Sequence, residues 1–156
     1  MYKEWESSHE GRLALIILCD QLSRSFFRGK KEALMFDHIA LSVTKRIISR
    51  SSEFNRYKLI ERLFVILPLM HSENVDDCEL SLRLLQSSID YAELNHYDDV
   101  VTQLLQLKEA AMQFVLMQKA FGRFPHRNHY LGRQTTDEEL VFIQTGQIPE
   151  ISKSPS

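Results

Sequence analysis

The sequence predicts an all-α protein, and three observations carry that reading. Glycine (5) and proline (4) are scarce in 156 residues, while Leu, Glu, Lys, Gln and Ala are plentiful, a composition that favours helix. Apolar residues recur at three- and four-residue spacing through most of the chain. No Asn-Gly or Asp-Gly pair and no sustained alternation marks a hairpin. Helices in series with short connections predict antiparallel hairpins stacked as a bundle or short solenoid of about six helices, in one domain spanning 1–156.

The elements follow in order. Residues 1–10 are polar apart from Tyr2 and Trp5. A first helix runs from about Arg12 to Phe26. Its stretch Leu13–Cys19 is apolar on every side, so the helix is expected to be central and surrounded. Leu13, Ile16, Asp20, Arg24 and Phe27 share one stripe. Asp20 therefore sits on a buried face and needs a partner there, and Arg24 one turn on is available. Gly29 closes this helix.

The second helical segment runs from about Lys31 to Arg50 on the stripe Phe36, Ile39, Ala40, Val43 and Ile47. Asp37 reads as an N-cap that splits off a short preceding turn. Ser49 to Asn55 reads as a polar connection. A third helix, about Asn55 to Met70, contains Pro68, which leaves the Phe64 carbonyl without its helical donor and predicts a kink. A fourth starts at Asp76, where Asp76 and Glu79 have capping-box spacing, and buries Cys78, Leu82, Leu85, Ile89 and Ala92. A fifth, about Asp98 to Phe121, buries Leu104, Leu107, Ala111, Phe114 and Met117, and Gly122 and Pro125 stop it. Thr136 and Glu139 form a capping box that opens a short helix to about Gln144. Residues 146–156 read as a tail.

Composition excludes several function classes. Net charge is -2 and the pI is about 6.3, so no global basic field favours nucleic acid or an anionic membrane. No apolar run reaches the roughly 18 residues of a membrane span. Glu4, Trp5 and Glu6 stand where a signal peptide would have its apolar core, which predicts a cytoplasmic protein. Cys19 and Cys78 sit in apolar helical patterns and read as reduced core residues. No glycine-rich phosphate loop is present, and no cofactor is expected.

Three segments concentrate polar chemistry: Asp20-Gln21 through Arg28, His71-Ser72-Glu73, and Arg123 through Arg133. Each lies at or near a helix end, and antiparallel packing brings such ends together. One reading is a polar pocket. Asp20 and Glu73 would be its carboxylates, Arg24, Arg28, Arg123 and Arg127 its anion clamps, and His71 and His126 its acid–base groups, with Asn128 beside them. The other reading is joinery: Asp20 pairs with an arginine, while His126 and Asn128 satisfy carbonyls freed at helix ends and at Pro68. A metal centre from His71, Glu73 and His126 with Asp20 is chemically possible, but the spacing matches no ligand motif and no metal is expected. Ser72 beside His71 does not make a triad, which is a matter of spatial geometry.

At these same segments the chain resembles a bacterial family catalogued as domain of unknown function nine hundred and twenty-four. The matching residues are Leu13 to Leu18 with Asp20-Gln21, Arg24 and Phe27-Arg28-Gly29; then Pro68 with His71-Ser72-Glu73; then Phe121 to Asn128 with Leu131-Gly132-Arg133. Trp5 matches in its spacing to Leu13. The resemblance covers Trp5 to about Ile143. It implies a tetratricopeptide-like right-handed superhelix and no assigned activity. It also implies a further Trp- and Phe-rich helical stretch before Trp5, so this copy is expected to be N-terminally shortened. Ser23 replaces a proline usual in the family, and Phe114 replaces a common histidine. By motif, Asp20, Arg24, Arg28, His71, Glu73, Arg123, His126, Arg127 and Asn128 are the candidate site residues. The expectation is a binding or interaction module with a polar pocket lined by these arginines and histidines, an anionic small molecule being one candidate partner. The alternative is a small enzyme acting on an anionic phosphate or carboxylate metabolite, with His71 or His126 as acid–base group, so catalysis is left open. A surface uncovered by the missing stretch would instead favour self-association.

Overall fold

A computed structural model describes residues 2–149. Among them the chain forms nine α-helical segments and no strand. Of the expected tail, residues 150–156 lie outside the described residues. After a 3-10 turn (Tyr2–Ser7), α1 (His9–Ile16), a π-helical stretch (Ile17–Leu22) and α2 (Ser23–Phe26) make one continuous run. Ser8 caps its start by accepting from the Gly11 N–H at 2.9 Å. A Cβ on Gly11 would stand 2.1 Å from the Trp5 carbonyl oxygen, so only glycine lets the 3-10 turn fold back onto α1.

This first run is not surrounded as expected. Leu15, Ile16 and Cys19 are in the core, but Leu18 is 45% and Leu22 40% exposed. Tyr2 and Trp5 meet Leu15 and Leu18 along an apolar groove, while Leu15, Ile16 and Cys19 also join the main core cluster.

A 3-10 turn (Lys31–Leu34) leads to α3 (Asp37–Ile48), then α4 (Ser51–Phe54), one helical turn within the expected polar connection. Phe36, not Asp37, occupies the N-cap. Asp37 is the first helical residue, and its carboxylate turns away to an arginine instead of closing on its own backbone. Next, α5 (Leu59–Met70) starts four residues later than expected and contains Pro68. The start of α6 (Val75–Leu94) is capped by Asn74, whose side chain accepts from the Asp77 N–H at 3.1 Å. The expected Asp76–Glu79 box is therefore replaced by an asparagine cap two residues upstream. α7 (Asp98–Phe121) ends on Gly122 at φ 67°, a left-handed position that favours glycine. α8 (Asn128–Leu131) is a single turn, and α9 (Asp137–Thr145) opens on Thr136 and Glu139 with both bonds of the capping box formed.

Helices α6 and α7 pair antiparallel. Lys108 reaches Gln86 and Lys119 reaches Glu79, so positions rise along one helix as they fall along the other. One apolar cluster joins Leu15, Ile16, Val43, Ile47, Val65, Ile66, Leu85, Ile89 and Leu104 from α1, α3, α5, α6 and α7. A second, around Cys78, Val115, Met117 and Phe124, seats the segment after α7 against α6 and α7. Leu82 and Phe114 pack on both clusters. Helix ends that are remote in sequence thereby meet: the middle of the first run, the start of α3, the end of α5 and the bend after α7.

Candidate functional site

The meeting point is centred on Asp20. It lies in the π-helical stretch, where widened i→i+5 bonding turns Ser23 N–H onto the Leu18 carbonyl; such turns recur at functional sites. Its side chain is fully buried. His71, just past α5, holds Nδ1 2.7 Å from Asp20 Oδ1, and the Gln21 amide also donates to the carboxylate. Arg24 Nε stands 3.4 Å away on the next turn. Burial by itself raises the Asp20 pKa. The hydrogen bond and charge of His71, the charge of Arg24 and the Gln21 amide outweigh it, and the net shift is downward. A carboxylate accepts only, so Nδ1 of His71 carries the proton that points at Asp20. Nε2 hydrogen-bonds no other described residue.

Arg24 also bridges to Asp37. Its Nη2 is 2.6 Å from Asp37 Oδ2. Arg127 Nη1 approaches the same oxygen, but only to 3.8 Å. Burial raises the Asp37 pKa, with Asp20 nearby adding to it. Arg24 and Arg127 offset part, and the net shift is upward. Asp37 Oδ1 is enclosed and has no hydrogen-bond partner among the described residues. Thus Asp20 and Asp37 are shifted in opposite directions on the two sides of Arg24.

Arg127 is only 8% exposed. Its guanidinium lies 4.6 Å from the centroid of the Phe124 ring and makes no hydrogen bond to another described residue. His126 stacks on Phe124 at 5.6 Å and keeps solvent contact. Partial burial and the Arg127 charge hold its pKa below the ordinary imidazole range.

The bend itself is held by two further carboxylates. Glu73 takes both terminal nitrogens of Arg133, at 2.6 and 2.9 Å, and the Phe124 N–H at 2.9 Å. Burial would raise its pKa, but these bonds and the nearby Arg127 bring it down. Glu139 takes Arg123 at 2.5 and 2.8 Å, the Asn128 amide at 3.0 Å and the Thr136 N–H at 2.9 Å. Arg123, against opposing burial and helped by the Thr136 N–H and Asn128, draws its pKa down to about 2.

The nine sequence candidates therefore separate. Asp20, Arg24, His71 and Arg127 converge, through Asp37. Glu73 holds the adjoining wall. Arg123 and Asn128 belong to the Glu139 clasp, and Arg28 is exposed with no ion-pair partner among the described residues. The joinery reading also needs correction. Asn128 donates to Glu139 and Thr135, and His126 stacks on an aromatic ring, so neither serves a freed carbonyl among the described residues. Ser72 donates to Asp77 at 2.7 Å and not to His71. Among the described residues, no group of three His, Cys, Asp or Glu side chains is placed to hold a metal ion. Asp37, Arg133 and Glu139 were missed as site residues. Arg133 stood inside the arginine-rich bend and Glu139 in a capping box, whereas nothing in the sequence ties Asp37 to Asp20.

Residues 1–147 match the model of a family described as bacterial protein of unknown function (DUF924). The solved structure of a protein of unknown function from Agrobacterium tumefaciens is similar, with a TM-score of 0.67 and 28% identity, over 92% of this chain and 72% of that one. No curated protein matches the chain. Among the described residues, no helix is long and apolar enough to cross a membrane.

Proposed function

The chain belongs to the bacterial family of unknown function DUF924, and from the geometry of the site we propose that it is a binding module for a small anion, held by Arg127 beside Arg24 and His71. One observation carries the reading. Arg127 is nine-tenths buried, stacked on Phe124, and makes no hydrogen bond to another described residue. A buried guanidinium is expensive to desolvate and is normally satisfied by several acceptors. Arg123 and Arg133, on either side of it in the bend, are each paired with a carboxylate. Arg127 keeps its planar fork for an oxyanion. A cytoplasmic location belongs to the same proposal, supported by the two buried free cysteines.

The test is thermal melting with a panel of small phosphorylated and carboxylated compounds. A true ligand at a hundred times its Kd stabilises by about 2.7 kcal/mol. Wild type responds and Arg127→Lys, which keeps the charge and loses the fork, does not. A panel that leaves wild-type melting unchanged overturns the reading.

A second reading, an enzyme acting on such an anion, is favoured by Asp20 and His71. A buried carboxylate that fixes the Nδ1 proton leaves Nε2 as a base. Cys78 does not supply a nucleophile: it is fully buried, and burial pushes its thiol up to about 11. Ser72 is turned to Asp77. His71 would then take a proton from the ligand or from water directly. Under this reading His71→Gln abolishes turnover while the ligand-induced melting shift survives.

A further inference from the structure

Arg127 Nη1 and Asp37 Oδ2 face one another at 3.8 Å. That is too long for a hydrogen bond, although both groups are charged and opposite. Asp37 is held where it is by Arg24, at 2.6 Å on the same oxygen. Arg127 is held by its stack on Phe124. A single oxygen atom at ordinary hydrogen-bond distance from both, about 2.7–2.9 Å, fits this separation. That oxygen must accept from the guanidinium and donate to the carboxylate, so it must carry a proton.

Resting on the anion-binding reading above, we propose that Arg127 and Asp37 form a selective site for an oxyanion that carries its own proton, inorganic phosphate being the simplest, and that the site discriminates against sulfate. The two ions share shape and size. At neutral pH phosphate retains a proton and sulfate retains none. Arg127 attracts both ions, the sulfate dianion no less than phosphate, so the discrimination comes from Asp37, which accepts from a P–OH and repels a bare sulfate oxygen. Asp20 and Glu73 do not compete for Arg127, because the first is occupied by His71, Gln21 and Arg24 and the second by Arg133 and the Phe124 N–H. A phosphate monoester has largely lost its second proton at pH 7, so it satisfies Asp37 less well than inorganic phosphate does.

The experiment is calorimetric titration of the full chain at pH 7 and constant ionic strength with sodium phosphate, sodium sulfate and methyl phosphate. Phosphate is expected to bind roughly tenfold more tightly than sulfate, the ratio one charge-assisted hydrogen bond supports, with methyl phosphate between them. Asp37→Asn replaces the acceptor oxygen pair by an amide and is expected to bring phosphate and sulfate within about twofold of each other. Equal or tighter sulfate binding to wild type overturns the selectivity and leaves the anion site standing. Failure of both ions to bind, together with no response from any other anion, overturns the selectivity and the anion site together. The wild-type comparison decides the matter even where Asp37→Asn does not fold.

Discussion

Arg133 grips Glu73 through both terminal guanidinium nitrogens, at 2.6 and 2.9 Å, across 60 residues of sequence. The same Arg133 donates to the Phe124 carbonyl at 3.1 Å, and Glu73 accepts from the Phe124 N–H. The pair thus fixes the backbone of the bend on which Arg127 is mounted. Arg133→Ala is expected to cost about 2 kcal/mol, because a half-buried carboxylate loses its counter-charge and two bonds. For a chain of this size that lowers Tm by roughly 4–8 °C. Glu73→Gln in the same background adds little, and the non-additivity measured in a double-mutant cycle confirms the coupling.

Glu139 is 2% exposed and its pKa is drawn down to about 2, from an ordinary value of 4.5. A lowered folded-state value means its contribution is complete above the unfolded value and is lost as pH falls through the folded one. Glu139→Gln is therefore destabilised relative to wild type at pH 7. The difference shrinks between pH 4.5 and 2, as wild type loses the same charge. Melting curves of the two proteins across that range should converge.

Asp20 and Asp37 respond oppositely. Asp20 is lowered from 3.8, so its ionised form stabilises the fold above that value and the benefit is lost on acidification. Asp37 is raised, so stability favours its protonated form and is lost as pH rises through its folded value. At pH 7, Asp20→Asn is expected to lower Tm clearly, whereas Asp37→Asn costs less or raises it. Tm measured for both variants at pH 7 and at pH 3 checks the order, and the Asp20→Asn deficit should narrow at the lower pH.

Cys19 and Cys78 are both buried, and burial, with Asp20 and Asp77 beside them, pushes both thiols upward. Thiolate is the reactive form. Iodoacetamide at neutral pH is therefore expected to leave the folded protein unlabelled and to modify both positions after denaturation. Mass spectrometry distinguishes the outcomes.

Much of the frame was legible in the sequence. α7 runs over the residues its apolar stripe and terminal glycine indicated, and the Thr136–Glu139 box formed because both bonds are local. Failures came where another partner, distant or local, displaced the expected one. Asp37 had a good N-cap position, yet Arg24, thirteen residues earlier, takes its carboxylate. Asp76 and Glu79 had box spacing, but Asn74 caps first. For the site, the motif segments do meet, since Asp20 and His71 touch. Arg123 and Arg28 could not be told from Arg127 by residue type. Their separation depends on which carboxylates the fold brings near, and the sequence gives no signal for that.

The π-helical stretch absorbs a residue into the first run. Its i→i+5 bonding holds about one residue more per turn than α, so α1 and α2 keep the phase of a shorter, regular helix. Excising one residue between Ile17 and Leu22 would let the stretch rewind as α with its flanking segments still facing as they do. What would go is the widened turn, and with it the displaced backbone that sets Asp20 against His71. A single-codon deletion here is therefore expected to spare the fold and dismantle the site, whereas the same deletion in the middle of α7 would rotate the residues after it by about 100°.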